Sequence, residues 1–209
     1  MFVSSLRYPL ESDDLPRTLL IGSLLVVGSI LILPLIVLMG YFVQAINAAA
    51  ADDPPPQFER FEILFVDGLK LLAVGLAYGI GFVVLAFGVL FVGALNEQLM
   101  TVGFVVLAIA YFGLLYFSVA VLYAFGRHRN LADAFALRDI VRTGLSVRYL
   151  LVALLVVFIV PTLFSILQVL VGITIIGLLL IPATLVYELL VYAAFVSELD
   201  HPDDTAASS

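Results

Sequence analysis

The sequence predicts an all-α, polytopic transmembrane helical bundle of about five spans, and three observations predict it. Of 209 residues, 64% are hydrophobic and only 12% charged, against roughly half and roughly a quarter in soluble domains. The apolar residues fall in four runs free of Asp, Glu, Lys and Arg: Thr18 to Ala51, Leu71 to Asn96, Gln98 to Gly126 and Tyr149 to Tyr187. Each exceeds the roughly 20 residues that a helix needs to cross a hydrocarbon core of about 30 Å. Cysteine is absent, which excludes a disulfide scaffold, a thiolate nucleophile and any cysteine-ligated metal.

Taken in order, the first run predicts a span over about 19–45, and the second and third runs predict spans over 71–93 and 100–125. The fourth run continues past Glu188 to Ser197 and is long enough for two helices, 150–171 and 175–196, joined at Gly172-Ile173-Thr174. Together, residues 1–197 read as one integral membrane domain, with an acidic, disordered tail over 198–209. The first apolar run is too long for a cleaved signal, whose core runs about 7–15 residues. Pro54-Pro55-Pro56 must stop the helix before it, because proline neither donates a hydrogen bond nor packs inside a helix.

Between the spans, apolar residues recur at helical spacing in 58–72 and again in 131–145, where Phe135, Leu137, Ile140, Val141 and Leu145 oppose Arg138, Asp139 and Arg142. Both segments are expected to be amphipathic interfacial helices on the cytoplasmic surface. Lysine and arginine stay preferentially in the cytoplasm. With one first span, seven of the nine positive residues share the face of Arg127 and Arg129 and only Arg7 and Arg17 oppose them, so the N-terminus is expected outside and the C-terminus inside. A first run bent into a hairpin near Pro34 would put all nine on one face, but its length is short for two crossings.

Candidate polar chemistry is sparse. Glu188 is the single ionisable residue deep in a predicted span, with Gln168, Thr184 and Ser118 as candidate hydrogen-bonding partners. Such a group handles protons or cations, or joins helices; the second role is the expected one, because a coupled transporter normally carries more than one. Gly75, Gly79 and Gly81 have the small-residue spacing that lets helices approach closely. Pro34, Pro161 and Pro182 are expected to kink three spans. Phosphate-binding loops, Gly-x-Ser-x-Gly elbows and histidine pairs at ligand spacing are missing. The sequence therefore predicts no enzyme, no cofactor and no metal. A net charge of -7 repels nucleic acid and suits a high-salt habitat. The expected partners are the lipid bilayer and a protein at the cytoplasmic face.

A resemblance adds to this. Arg7-Tyr8-Pro9-Leu10-Glu11-Ser12-Asp13-Asp14, the Gly40-Tyr41 pair, Leu64-Phe65-Val66-Asp67-Gly68-Leu69-Lys70, and Ala134-Phe135 before Val141-Arg142-Thr143-Gly144 resemble the domain-of-unknown-function 4013 family. That resemblance implies a multi-pass membrane protein of a kind frequent in archaea. It implies no activity and no catalytic or binding residue. The expected role is a non-enzymatic membrane scaffold or interaction module; the alternative is a small permease or channel with Glu188 in its pathway.

Overall fold

A computed structural model of the chain describes residues 2–12, 14–29 and 32–200, which are helical throughout with no strand. A short helix α1 (Phe2–Arg7) and a 3-10 turn lead into α2 (Leu15–Gly28), whose first turn is capped by the Asp14 carboxylate accepting from the Arg17 N–H at 3.3 Å. Helix α3 (Ile32–Ala50) follows, then α4 (Phe61–Gly93) and α5 (Glu97–His128). The connector carries α6 (Leu131–Ala134) and α7 (Leu137–Gly144). Helices α8 (Val147–Leu154) and α9 (Val160–Gly172) are joined through a π-helical stretch at Leu155–Ile159. The π stretch precedes Pro161, whose missing N–H removes one rung of the α-helical ladder. Helix α10 (Ile175–Ser197) begins with the Thr174 hydroxyl accepting from the Gly177 N–H at 2.9 Å.

Five helical stretches are long and apolar enough to cross a membrane: Ile32–Ala50, Phe61–Gly93, Glu97–His128, Val147–Gly172 and Leu180–Ser197. The all-α transmembrane fold read from the sequence is thus present. Its first span differs. In place of one helix over 19–45 there are two, α2 ending at Gly28 and α3 beginning at Ile32, with Pro34 in the first turn of α3 where its ring costs no hydrogen bond. Near the break Gly28 lies against Pro34, while far from it the Tyr8 hydroxyl donates to the Ala45 carbonyl at 3.3 Å. Helices α2 and α3 are therefore an antiparallel hairpin, and both pack on α10. Helix α2, with 14 residues, is only about 21 Å long at 1.5 Å per residue. The N-terminal segment returns to the end of the bundle where α10 finishes: the Tyr187 hydroxyl donates to the Leu6 carbonyl at 2.7 Å, and the Ser5 hydroxyl to Glu198 at 3.5 Å. A single first crossing would have placed it at the opposite end.

Two further expectations are adjusted. The amphipathic segment 58–72 is not a separate flat helix; from Phe61 it is the beginning of α4 itself, because its apolar periodicity continues without a break into the span. Glu198–Asp200 form a 3-10 turn, with Glu198 3.6 Å from Arg148, so the ordered body extends to 200; residues 201–209 of the expected tail lie outside the described residues.

Helices of 33 and 32 residues are about 50 Å long, roughly 20 Å more than a hydrocarbon core requires. The connector occupies that excess. It folds back along α4 and α5, with Tyr78 donating to the Ala134 carbonyl and Tyr116 to the Gly144 carbonyl, each at 2.7 Å. Beyond those tyrosines the α4–α5 hairpin is bare, exposing Ile80, Phe87, Phe91, Ile109 and Phe112. Apolar surface of that extent belongs in lipid. The packed core lies toward the other end, around the fully buried Tyr41, Ile46, Phe125, Tyr149, Leu190 and Phe195.

Where α3 crosses α4, backbones touch. A Cβ built on Gly40 would fall on the Leu64 carbonyl, and one on Gly68 would fall on the Ile36 carbonyl. The contact is possible only without side chains. By contrast, a Cβ on Gly75, Gly79 or Gly81 would meet nothing within 4 Å, so the small-residue positions read from the sequence pack against no helix of this chain. Alanine at Gly40 or Gly68 should destabilise the folded protein by about 1–3 kcal/mol or more, through overpacking against main chain. Alanine at Gly75 or Gly79 should be neutral or slightly stabilising in thermal unfolding of the detergent-solubilised protein; equal effects at the two pairs would contradict the crossing.

Candidate functional site

Two polar groups are built between helices. The first was legible in the sequence. Antiparallel packing of α9 on α10 brings Gln168 to Glu188, with Nε2 donating to Oε2 at 3.2 Å. One turn further along α10, the Tyr192 hydroxyl donates to Oε1 at 2.8 Å. Both carboxylate oxygens are thus engaged. Thr184 and Ser118 do not join them: each hydroxyl bonds back within its own helix, to Ile181 at 2.8 Å and to Leu115 at 2.7 Å. A hydroxyl on a helix satisfies itself this way whenever no partner faces it. The cavity beside Thr184 is enclosed mainly by Leu19, Phe164, Leu167, Leu180 and Ala183, with neither Glu188 nor Gln168 in its wall.

The second group was missed. Asp67 is 3% exposed at the start of α4. Its Oδ2 lies 3.1 Å from Arg129 Nη1 and 3.4 Å from Gln44 Nε2, and its Oδ1 lies 3.7 Å from Lys70 Nζ. Arg129 itself has left-handed backbone, φ 52°, as the residue that ends α5. Side chains from other helices also satisfy carbonyls left open at that end: Lys70 donates to Arg129 O at 3.3 Å and Asn47 to Arg127 O at 2.7 Å. The cluster therefore ties α3, α4 and the end of α5 together. Its sequence signal was Asp67 beside Gly68 in a stretch read as a solvated face. Ordinary surface carboxylates do not adjoin a glycine at a helix crossing.

At the same end of the bundle a polar concavity of about 270 Å³ is lined by Ser5, Tyr8, Glu11, Asp53, Ser197 and Glu198 among others. Burial, with Glu11 and Asp53 close by, pushes the Tyr8 phenol up, so it remains a neutral donor to Ala45. Among the described residues no three His, Asp or Glu side chains converge as a metal site.

Comparison with known families bears on all of this. Residues 23–181 match the family described as Protein of unknown function (DUF4013). The chain belongs to that family. No curated protein and no solved structure matches it. Several of the residues that carried the resemblance within the matched region are joint residues here. In this DUF4013 protein Gly40 and Gly68 form the α3–α4 crossing, Asp67 forms the ion cluster, and Gly144 lies under the Phe117 ring. Phe135 stacks on Tyr78 with centroids 5.6 Å apart.

Replacing Asp67 by alanine removes a buried carboxylate that accepts from Arg129 and Gln44. Hydrogen bonds to a charged group are worth about 1.5–3 kcal/mol, and because Arg129 is half-exposed and rehydrates, the loss should stay within that range. Lys70, 37% exposed, should cost no more than about 1 kcal/mol on truncation, as solvent-screened pairs do. Chemical denaturation in mixed micelles checks the order; a Lys70→Ala loss equal to that of Asp67→Ala would contradict it.

Proposed function

We propose that this DUF4013 protein is a non-enzymatic membrane scaffold or interaction module whose basic end lies in the cytoplasm. The observation that carries the reading is the state of Glu188. Its two oxygens accept from Gln168 and Tyr192, so this carboxylate is committed to holding α9 on α10. A transport path needs a polar face shared by several helices. The polar hollows, around Tyr8 and Glu198 and around Asp67 and Arg129, lie at the basic end, whereas those further along the helices have mainly apolar walls, such as the cavity of about 290 Å³ bounded by Leu71, Val74, Leu114, Phe117, Val121 and Leu122.

The orientation follows from charge. Arg7, Arg17, Arg60, Lys70, Arg127, Arg129, Arg138, Arg142 and Arg148 belong to the end where α4 begins and α5 and α10 finish, whereas the turn at Asn96 carries only Glu97. A bias of nine to none favours that end as cytoplasmic. It presents the connector helices and the polar concavity to the cytoplasm, which is where a protein partner would bind.

Proteoliposomes separate the scaffold from the permease. Vesicles holding the parent protein should be no more permeable than empty ones to protons and common ions, and Glu188→Gln should leave them unchanged. A pH-dependent flux present in the parent and abolished by Glu188→Gln would replace the scaffold by the permease.

A further inference from the structure

Helix α7 presents three strips. Ile140 and Gly144 face inward, buried against α5. Leu137, Val141 and Leu145, one helical turn apart, are 63%, 43% and 77% exposed. Arg138 and Arg142 form the next strip round; both are exposed, and neither has an ion pair or hydrogen bond among the described residues. An apolar strip flanked by two uncommitted guanidinium groups suits the boundary between acyl chains and headgroups. The connector lies at that boundary. Beyond Tyr78 and Tyr116, which hold it, roughly 23–29 Å of α4 and α5 remain, close to a hydrocarbon thickness.

Directly below this corner runs a groove. Between α4 and α5 an apolar hollow of about 510 Å³ is lined by Gly81, Phe82, Leu85 and Leu114, with Phe135 and Leu137 of the connector at its end nearest the arginines. Gly81 leaves its floor open, since a Cβ there would touch nothing. The geometry points to a binding site for one anionic phospholipid, its phosphate on Arg138 and Arg142 and an acyl chain laid along the groove past Gly81 and Phe82. The two halves of the site match the two halves of that ligand. A guanidinium pairs a phosphate oxygen by oxygen, and an apolar trough open to the bilayer on its side takes a chain that is already there. A soluble anion would leave the trough empty, and a zwitterionic lipid brings a phosphate whose charge its own ammonium already offsets, so two arginines favour a net anionic headgroup. The assignment is independent of which face is cytoplasmic and of any transport.

The chain has no tryptophan, so Phe82→Trp places in the groove a sole tryptophan, which is excited selectively over the tyrosines. Phe91→Trp, at a position 74% exposed further along α4, reports ordinary boundary lipid. The full-length variants are reconstituted in phosphatidylcholine containing phosphatidylglycerol, with one or the other lipid brominated on its chains to quench. At position 82 phosphatidylglycerol should be preferred by about fivefold for each arginine engaged, falling as salt rises. At position 91 there should be no preference. Combining Arg138→Gln with Arg142→Gln should abolish the preference at 82, while Lys at both positions should keep most of it. Equal quenching by the two lipids at 82 would overturn the site, as would a preference that survives the Gln pair or appears equally at 91. Absence of quenching at 82, the result expected if a second copy of the protein filled the groove, would overturn it too.

Discussion

The close approach of α3 and α4 at Gly40 and Gly68 governs the rest of the architecture. Between helices in lipid there is no hydrophobic driving force, so association depends on backbone proximity and on polar contacts made possible by it. Here the two are adjacent in sequence. Gly68 admits the α3 main chain, and its neighbour Asp67 then reaches Gln44 on α3 and Arg129 at the end of α5. One residue after Gly40, Tyr41 stacks on Phe58 with centroids 4.0 Å apart, which seats the proline-rich loop between the two helices. Removing side chains at one crossing thereby positions three helices and a loop.

Charge supplies the second constraint. An arginine or lysine at the centre of a span costs about 2.5–3.5 kcal/mol, so each must lie beyond the hydrocarbon. A single first crossing would strand Arg7 and Arg17 across the membrane from the other seven. The hairpin of α2 and α3 returns them, and α10 stabilises the return by packing on both arms, with Gly22 fitted against Val186. Helix α2 is too short to count as a span on its own, and it packs on both α3 and α10.

What could be read from residues, and what could not, follows from where polar signals fall. Spans bounded by charges or capping residues were legible, because Asn96 and Thr174 both mark and cap the starts of α5 and α10. The end of α2 at Gly28 was less so: a hairpin bent near Pro34 was the alternative that put all nine positive residues on one face, but apolar residues on both sides and a run short for two crossings favoured a single helix. The 58–72 segment was recognised as helical, yet periodicity alone does not say where a helix on the surface becomes a helix in the membrane. Of the three candidate partners of Glu188, Gln168 is the one that lies against it, because two strong polar groups in neighbouring spans have few alternatives. Thr184 and Ser118 were not their partners, for hydroxyls have an alternative within their own helix. The Asp67 cluster escaped because Arg129 is separated from Asp67 by the whole α4–α5 hairpin and Gln44 lies in a run that otherwise reads as apolar. The spacing of Gly75, Gly79 and Gly81 was visible, but spacing does not say whether a helix or lipid occupies the space.

The central claim is that the first apolar run turns back, leaving the N-terminal segment, the end of α10 and the nine positive residues on one face of the bundle, the face we propose to be cytoplasmic. Accessibility of single cysteines tests it most directly, and the natural absence of cysteine makes the readout clean. In intact cells an impermeant maleimide should label Asn96→Cys, while Ser4→Cys and Asn130→Cys should react only after permeabilisation. Labelling of Ser4→Cys together with Asn96→Cys, with Asn130→Cys protected, would mean that the first run crosses once and would contradict the hairpin.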